Sequence, residues 1–355
     1  MPTLFCIRPA TPNIGNDLIN ISTSKMLYET FGDDLSIVNV PALWNGSRGG
    51  LTKEQVYDMN RFADGVIVGG GNLFENGQVS LDRHALDTLR VPMMLIGLSH
   101  GRIREPSGEW MSRSDSMPAD AIRQLVAKAT VAMVRDTASQ ALLEEIGGGA
   151  VELGGCPSLF LPANSSNQTA NGRVLLSIRH PARMSVPPAL QWRTAEDVRR
   201  LIAMLREAYG NVVHLVCHDY MDLEFAAGFP DTPHLYFDDV HLYVAALRQC
   251  RLNVSYRLHA FLPCLAFGVP SIHLSYDERG KAMVATAGMA PWDIDLISET
   301  DLVGAVMSRM ENLDEYRRLK SAGETTIDTL KEVTVSGLKR FASAVDKRRS
   351  DARRH

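Results

Sequence analysis

Arg257 and His259 stand two residues apart after a short apolar run, Leu252-Asn253-Val254, and before a small-residue stretch that ends at Gly268. The run reads as a buried strand and the stretch after it as a helix, so both side chains fall where a strand hands over to a helix. In open α/β sheets that edge is where ligands bind. A guanidinium there holds an anion, and an imidazole gives or takes a proton near neutral pH. Their spacing does not place them on one helical face, but at a turn both can point into a cleft. Three more arginines follow strand-like runs: Arg135 after Val134, Arg179 after Ile178, and Arg279 a few residues beyond Leu274. If the strands are parallel, these positions gather on one edge, and a multiply charged anion is the reason to collect guanidinium groups there. Each has a plainer reading. Arg135-Asp136 is also a local ion pair at a helix start, and a lone histidine is most often a satisfied structural group. His100 and His180 also follow strands and rank second as cleft candidates.

Two polar loops extend the list. Gly69-Gly70-Gly71-Asn72 follows a strand and offers backbone N–H groups to a phosphate or carboxylate, with Gly70, Gly71 and Asn72 as candidates. A tight turn explains the glycines equally well, and Phe74 occupies the position of the third glycine in a dinucleotide fingerprint. Pro12-Asn13-Ile14-Gly15-Asn16-Asp17 precedes a helix, where Asn13, Asn16 and Asp17 either cap it or touch a ligand. His214 and His218 lie four apart in a strand and turn, where that spacing has no metal meaning; no metal site is expected. Five scattered cysteines without a CxxC pair read as buried reduced thiols.

The elements that position these residues alternate strand and helix. Strands are expected at Thr3–Arg8, Leu35–Val40, Gly65–Val68, Met93–Leu98 and Val131–Val134. Helices are expected after Asp17 and at Lys53–Phe62, Ala119–Ala129 and Thr137–Ile146. Ala163 to Gly172 is polar, small and aperiodic, and reads as a linker. A second alternation follows: strands at Arg173–Ile178, Val212–Val216, Leu235–Phe237, the run before Arg257, and Ser271–Leu274. Its helices are Thr194–Tyr209, with Thr194 and Asp197 as a capping pair, His241–Cys250 and Glu278–Ala287. The chain beyond about Ser298 is helical by periodicity, with a charged, frayed tail from Lys347. The expected fold class is α/β: two Rossmann-like domains with parallel sheets, residues 1–162 and 173–297, then C-terminal helices over 298–355. A substrate would sit in the cleft between the sheets' C-terminal edges.

At 355 residues, two domains of about 150 each are the default. A 45% hydrophobic and 22% charged composition is that of a globular protein, and a net charge of −4 argues against nucleic acid as partner. No apolar run of about 18 residues and no signal-like start is present, so a cytoplasmic protein without an integral membrane segment is expected.

Asn13-Ile14-Gly15-Asn16-Asp17, Gly69 to Phe74, Val134-Arg135-Asp136, Ser177-Ile178-Arg179, Arg257-Leu258-His259-Ala260, Gly268-Val269-Pro270 and Ser275-Tyr276-Asp277 occur together in order. The set resembles the polysaccharide pyruvyl transferase family over roughly residues 3 to 290, with the Arg-Leu-His-Ala segment as its most specific part. The resemblance implies a GT-B-like fold whose C-terminal helix returns to the N-terminal domain. It implies phosphoenolpyruvate (PEP) as co-substrate, no cofactor, and a pyruvyl ketal formed on two hydroxyls of a sugar or glycolipid acceptor. By the same resemblance His259 is the general acid, and Arg257 and Arg179 bind PEP. The sequence departs from the family in two places. Asn16 stands where many relatives have aspartate, and Arg279 is the nearest base where relatives often carry lysine. Two other readings stay open: a GT-B-like enzyme using a nucleotide-sugar donor, and a binding protein that has lost its chemistry. A homo-oligomer is compatible with either.

Overall fold

The computed structural model describes residues 1–9, 11–43, 49–75, 77–105, 107–163 and 172–352. The expected linker therefore falls, over 164–171, outside the described residues. In the N-terminal half, β1 (Thr3–Arg8), α1 (Ile14–Phe31), β2 (Ser36–Pro41), α2 (Lys53–Phe62), β3 (Gly65–Gly71) and α3 (Arg83–Asp87) come first. They are followed by β4 (Met93–Leu98), a small hairpin of β5 (Ile103–Arg104) and β6 (Trp110–Met111), α4 (Ala119–Lys128), β7 (Val131–Val134), α5 (Thr137–Glu145) and β8 (Glu152–Leu153). The C-terminal half starts with β9 (Val174–Ser177), α6 (Pro188–Tyr209), β10 (Val213–Cys217), α7 (Tyr220–Ala226), β11 (His234–Tyr236) and α8 (Val240–Gln249). It continues with β12 (Leu252–Ser255), α9 (Leu258–Phe267), β13 (Ser271–Ser275), α10 (Glu278–Thr286), β14 (Asp293–Asp295), α11 (Leu302–Glu311) and α12 (Leu313–Ala352).

Among the described residues these strands form two six-stranded sheets, ordered β2-β1-β3-β4-β7-β8 and β11-β10-β9-β12-β13-β14. Every pairing within them is parallel. Burial explains the sequence pattern: β3, β4, β7, β9, β12 and β13 are buried at every position and covered by helices, so they read as continuous apolar runs rather than alternating ones.

Helix α12 ties the halves together. At about 1.5 Å per residue its 40 residues reach roughly 60 Å. Tyr316 near its start donates to the carbonyl of Val269 at 2.8 Å, under the C-terminal sheet. Leu338, Phe341 and Val345 are buried near its end with Leu4, Ile67 and Met94 of the N-terminal sheet. The helix runs through Ala352, so the expected frayed tail is ordered helix at least to that residue. Helix α6 also begins earlier than expected, at Pro188, where a fixed φ suits the first turn. Thr194 and Asp197 are therefore interior residues rather than a cap, and Asp197 instead pairs with Arg193 at 3.2 Å.

Candidate active site

Each sheet reverses its winding direction at one point, between β1 and β3 and between β9 and β12. Crevices form outside the carboxyl ends of such strand pairs. Beyond β9 comes Arg179 and beyond β12 Arg257; beyond β1 come Asn13 and Asn16, and at the end of β3 Gly71 and Asn72. The two crevices face each other and merge into one cavity of about 880 Å³. Arg135, Arg279 and His259 also line it. Among the described residues its wall carries seven arginines against three acids, Glu105, Asp219 and Asp277, so positive side chains dominate the lining.

Most of those arginines are already paired. Arg257 is 4% exposed; its Nη2 donates to Asp219 Oδ2 at 2.9 Å and to Asp222, and its Nε to the carbonyl of Ile178 at 3.2 Å. Asp222 is fully buried and also accepts from the backbone amides of His180 (2.9 Å) and His218 (3.0 Å). Burial works against the charged forms here, but the ion pair wins: Asp219 is held below the usual carboxylate range. Arg257 is thus clamped. Arg179 differs. Its Nε donates to the carbonyl of Arg183 at 2.9 Å, its guanidinium lies 5.6 Å from the Tyr276 ring centroid, and it forms no ion pair among the described residues. Burial, with Arg257 and Arg279 nearby, lowers its affinity for its proton, the mark of a cation missing a counter-charge.

Arg279 bridges the two halves. Its Nη1 meets Glu75 Oε2 at 2.7 Å and its Nη2 pairs with Asp277. Glu75 is fully buried just past the glycine loop and accepts from the amide of Gly101 at 2.7 Å. That glycine run is less a loop than expected: β3 continues through Gly71, in register with Leu98 of β4. Gly70 faces away from the cavity, at φ +88, where a Cβ would stand 2.7 Å from Ile19 of α1. Asn13 caps α1, its Oδ1 accepting from the amide of Gly15 at 2.9 Å, while Asn16 Nδ2 donates to Thr11 Oγ1 at 3.0 Å. Both line the cavity, as does Arg135, whose Nε lies 3.4 Å from Asp136. Asp17 is exposed and off the wall. His100 is also off it, buried in the field of Arg279 and Arg113; burial, then those two charges, press its pKa down to about 4.

His259 opens α9. Pro263 sits inside that helix without an amide proton, leaving the carbonyl of His259 unserved. The Tyr243 hydroxyl donates to it at 3.0 Å and contacts His218 Nε2 at 3.0 Å, so the backbone of His259 is fixed from α8. Its ring is approached from the other half of the chain: Cys156 Sγ is 3.9 Å from Nε2, and a Cβ on Gly15 would stand 3.3 Å from Nδ1. Burial, followed by the charges of Arg135, Arg257 and Arg279, pushes its pKa down to about 3. In the ligand-free cavity His259 is neutral.

Several of these residues escaped the sequence reading, Glu75, Asp219, Asp222 and Tyr243, and Tyr276 entered it only within a family motif. Glu75 follows the glycine run directly, and Tyr276-Asp277 follows β13, so both positions carried a signal. Asp219 and Asp222 come from a short helix with no periodicity to announce it. Cys6, Cys156, Cys217, Cys250 and Cys264 are buried and unpaired, as expected.

Two parallel doubly wound sheets facing across a cleft, with a C-terminal helix returning to the first, define the GT-B-like class. MnaA of S. aureus, solved with UDP, superposes with a TM-score of 0.54 at 12% identity, covering 90% of this chain and 91% of that one. UDP-GlcNAc 2-epimerase from Neisseria meningitidis, bound to UDP-GlcNAc, gives 0.53 at 12% identity over 95% and 98% of the two chains. An Anabaena protein in complex with UDP and glucose gives 0.51 at 14% identity over 97% and 98%. No curated protein sequence matches the chain. The family model for polysaccharide pyruvyl transferase matches residues 13–278, which spans both walls of the cavity, and the chain belongs to that family.

Proposed function

We propose that the cavity joins PEP to two hydroxyls of a sugar, releasing phosphate and leaving a pyruvyl ketal. The observation that carries this is Arg179, a cation without an acidic partner among the described residues, in one cavity with a histidine held neutral by burial and by the arginines around it. PEP brings a carboxylate and a phosphate, the counter-charge that this wall lacks. Its negative charge also raises the proton affinity of His259, so donor binding loads the acid that the reaction needs. His259 then delivers that proton to C3 of the enol, and C2 accepts the first hydroxyl. The C2–O bond to phosphate breaks, and the second hydroxyl closes the ketal. Arg179 and Arg135 are best placed to hold the anionic groups. Arg257, locked onto Asp219 and Asp222, sets the field and the floor of the site. Asn13, Asn16 and Asn72 on the opposite wall offer hydrogen bonds suited to a sugar acceptor.

The purified protein is tested for phosphate release from PEP with a panel of glycosides bearing two neighbouring free hydroxyls. Acceptor-dependent release, with a pyruvate ketal on the glycoside by mass spectrometry, is the expected outcome. The UDP bound in similar folds favours one alternative, a nucleotide-sugar donor. Calorimetry decides between them: PEP should bind and UDP-sugars should not, and the reverse would displace the pyruvyl reading.

A further inference from the structure

We propose that His273 is a second acid–base group of this cavity, taking the proton of the acceptor hydroxyl as its oxygen attacks C2 of the donor. This rests on the PEP reading above, which supplies the acid but leaves the base unassigned. His273 lies in the middle of an apolar strand and reads from sequence as a packed core residue. Its surroundings are not those of one. It is 2% exposed yet lines the cavity. It stands in register with Asp293 on the neighbouring strand β14, and its Nδ1 lies 2.6 Å from Asp293 Oδ1. The other carboxylate oxygen accepts from Ser275 Oγ at 2.7 Å, so the acid is fixed at both ends. A carboxylate on Nδ1 keeps the proton there and leaves Nε2 as the basic atom.

Nε2 has no hydrogen-bond partner among the described residues. The edge carrying it passes Gly280, another residue of the cavity wall. A Cβ at 280 would stand 2.8 Å from Cε1 and 3.5 Å from Nε2. The glycine keeps that edge clear. The charged and titratable neighbours of the pair come from three elements. They are His259 from α9, Asp277 and Arg279 beside Gly280 at the start of α10, and Arg309 from α11, which donates to the Asp293 carbonyl at 3.4 Å. Phe261 covers one side of the ring.

A neutral hydroxyl is a poor nucleophile, and a positioned base contributes about 10²–10⁴-fold in such steps. The first hydroxyl's oxygen bonds to C2 while its proton passes to Nε2, and Asp293 stabilises the imidazolium. His259 gives its proton to C3, turning the methylene into a methyl group. The bond from C2 to the phosphate oxygen breaks with its electron pair going to phosphate. The second hydroxyl then adds to C2, and its proton leaves on the phosphate. The proton gained by His273 and the one lost by His259 balance through solvent.

The test compares wild type, His273→Asn, which keeps an N–H for Asp293 but no base, and Asp293→Asn. Expected are a kcat at least 100-fold lower in His273→Asn with PEP affinity within threefold of wild type. In Asp293→Asn, kcat should fall at least tenfold with PEP affinity within threefold of wild type, because nothing then holds the proton on Nδ1 and the lone pair on Nε2. If neither variant folds, Gly280→Ala crowds the same edge and should lower kcat while sparing PEP binding. A folded His273→Asn turning over within threefold of wild type, an Asp293→Asn with undiminished kcat, or a fully active Gly280→Ala overturns the base assignment alone. A wild-type protein that neither binds nor consumes PEP overturns the functional reading itself, and this assignment with it.

Discussion

Glu75 and Arg279 meet across the cleft, Oε2 to Nη1 at 2.7 Å, with the carboxylate fully buried. One residue belongs to the N-terminal sheet's glycine segment and the other opens α10 in the C-terminal half, so the pair fixes how the two walls of the cavity face each other. Breaking a buried pair costs about 3–5 kcal/mol where it strands a charge, and less here because Arg279 keeps Asp277. Glu75→Gln should therefore lower unfolding free energy by about 1–3 kcal/mol in denaturant titration, and an unchanged value would show that the contact does not hold the halves.

The contrast between Arg257 and Arg179 yields the next expectation. Arg257 answers two buried acids, so Arg257→Ala leaves Asp219 and Asp222 uncompensated and should destabilise the fold, again by about 3–5 kcal/mol. Arg179 answers none, so Arg179→Ala should leave the melting temperature within a few degrees of wild type, or raise it, while weakening PEP binding at least tenfold. Arg179→Lys should recover only part of that affinity, because an ammonium lacks the planar fork that grips a carboxylate. Thermal melts with and without PEP read both effects. Similar melting losses in the two alanine variants would contradict the division of roles.

The sequence allowed the architecture and part of each cavity wall to be read because both rest on local signals. Fully buried parallel strands are apolar runs, and cavity-lining residues at strand ends follow them closely, as Arg135, Arg179, Arg257 and Asn72 do. What stayed hidden depends on pairing between distant segments. That Arg257 is clamped by Asp219 and Asp222, or that Glu75 reaches Arg279, follows from which strand ends lie side by side, which no window of the chain records. His273 was hidden for another reason: an isolated histidine in an apolar strand becomes notable only once the register sets Asp293 opposite it. The start of α6 was misplaced because Thr194 and Asp197 match a capping pair, while the helix begins at Pro188, whose fixed φ suits a first turn.

His259 gives a prediction on pH. Its pKa in the ligand-free fold, about 3, lies below the ordinary histidine value of about 6.5 expected in the unfolded chain. Above about 6.5 both states are neutral and the residue contributes nothing; as the pH falls from there towards 3, the unfolded chain binds a proton that the fold excludes, and stability is lost. His259→Gln should lose less stability than wild type across that window, read from denaturant midpoints at a series of pH values. Parallel curves would mean that His259 is not depressed. PEP binding should also draw in a proton near neutral pH. Calorimetry in two buffers of different ionisation enthalpy measures that uptake, which the His259→Gln variant should lack.

Gly15 separates stability from turnover. It lies in the first turn of α1, where alanine is favoured over glycine by about 1 kcal/mol. A Cβ there would stand 3.0 Å from the Cβ of His259, 3.1 Å from Oδ1 of the capping Asn13 and 3.3 Å from the His259 Nδ1, close enough that these side chains must move by a few tenths of an ångström. The backbone of His259 cannot follow freely, because Tyr243 holds its carbonyl. Gly15→Ala should thus leave the melting temperature within a few degrees of wild type and lower kcat by at least tenfold, since small misplacements of a reacting group cost on the order of 10²-fold. PEP affinity should change less than kcat, as Arg179 and Arg135 are not contacted by the added methyl. Undiminished turnover in this variant would place the proton-transferring atom elsewhere than on the His259 ring.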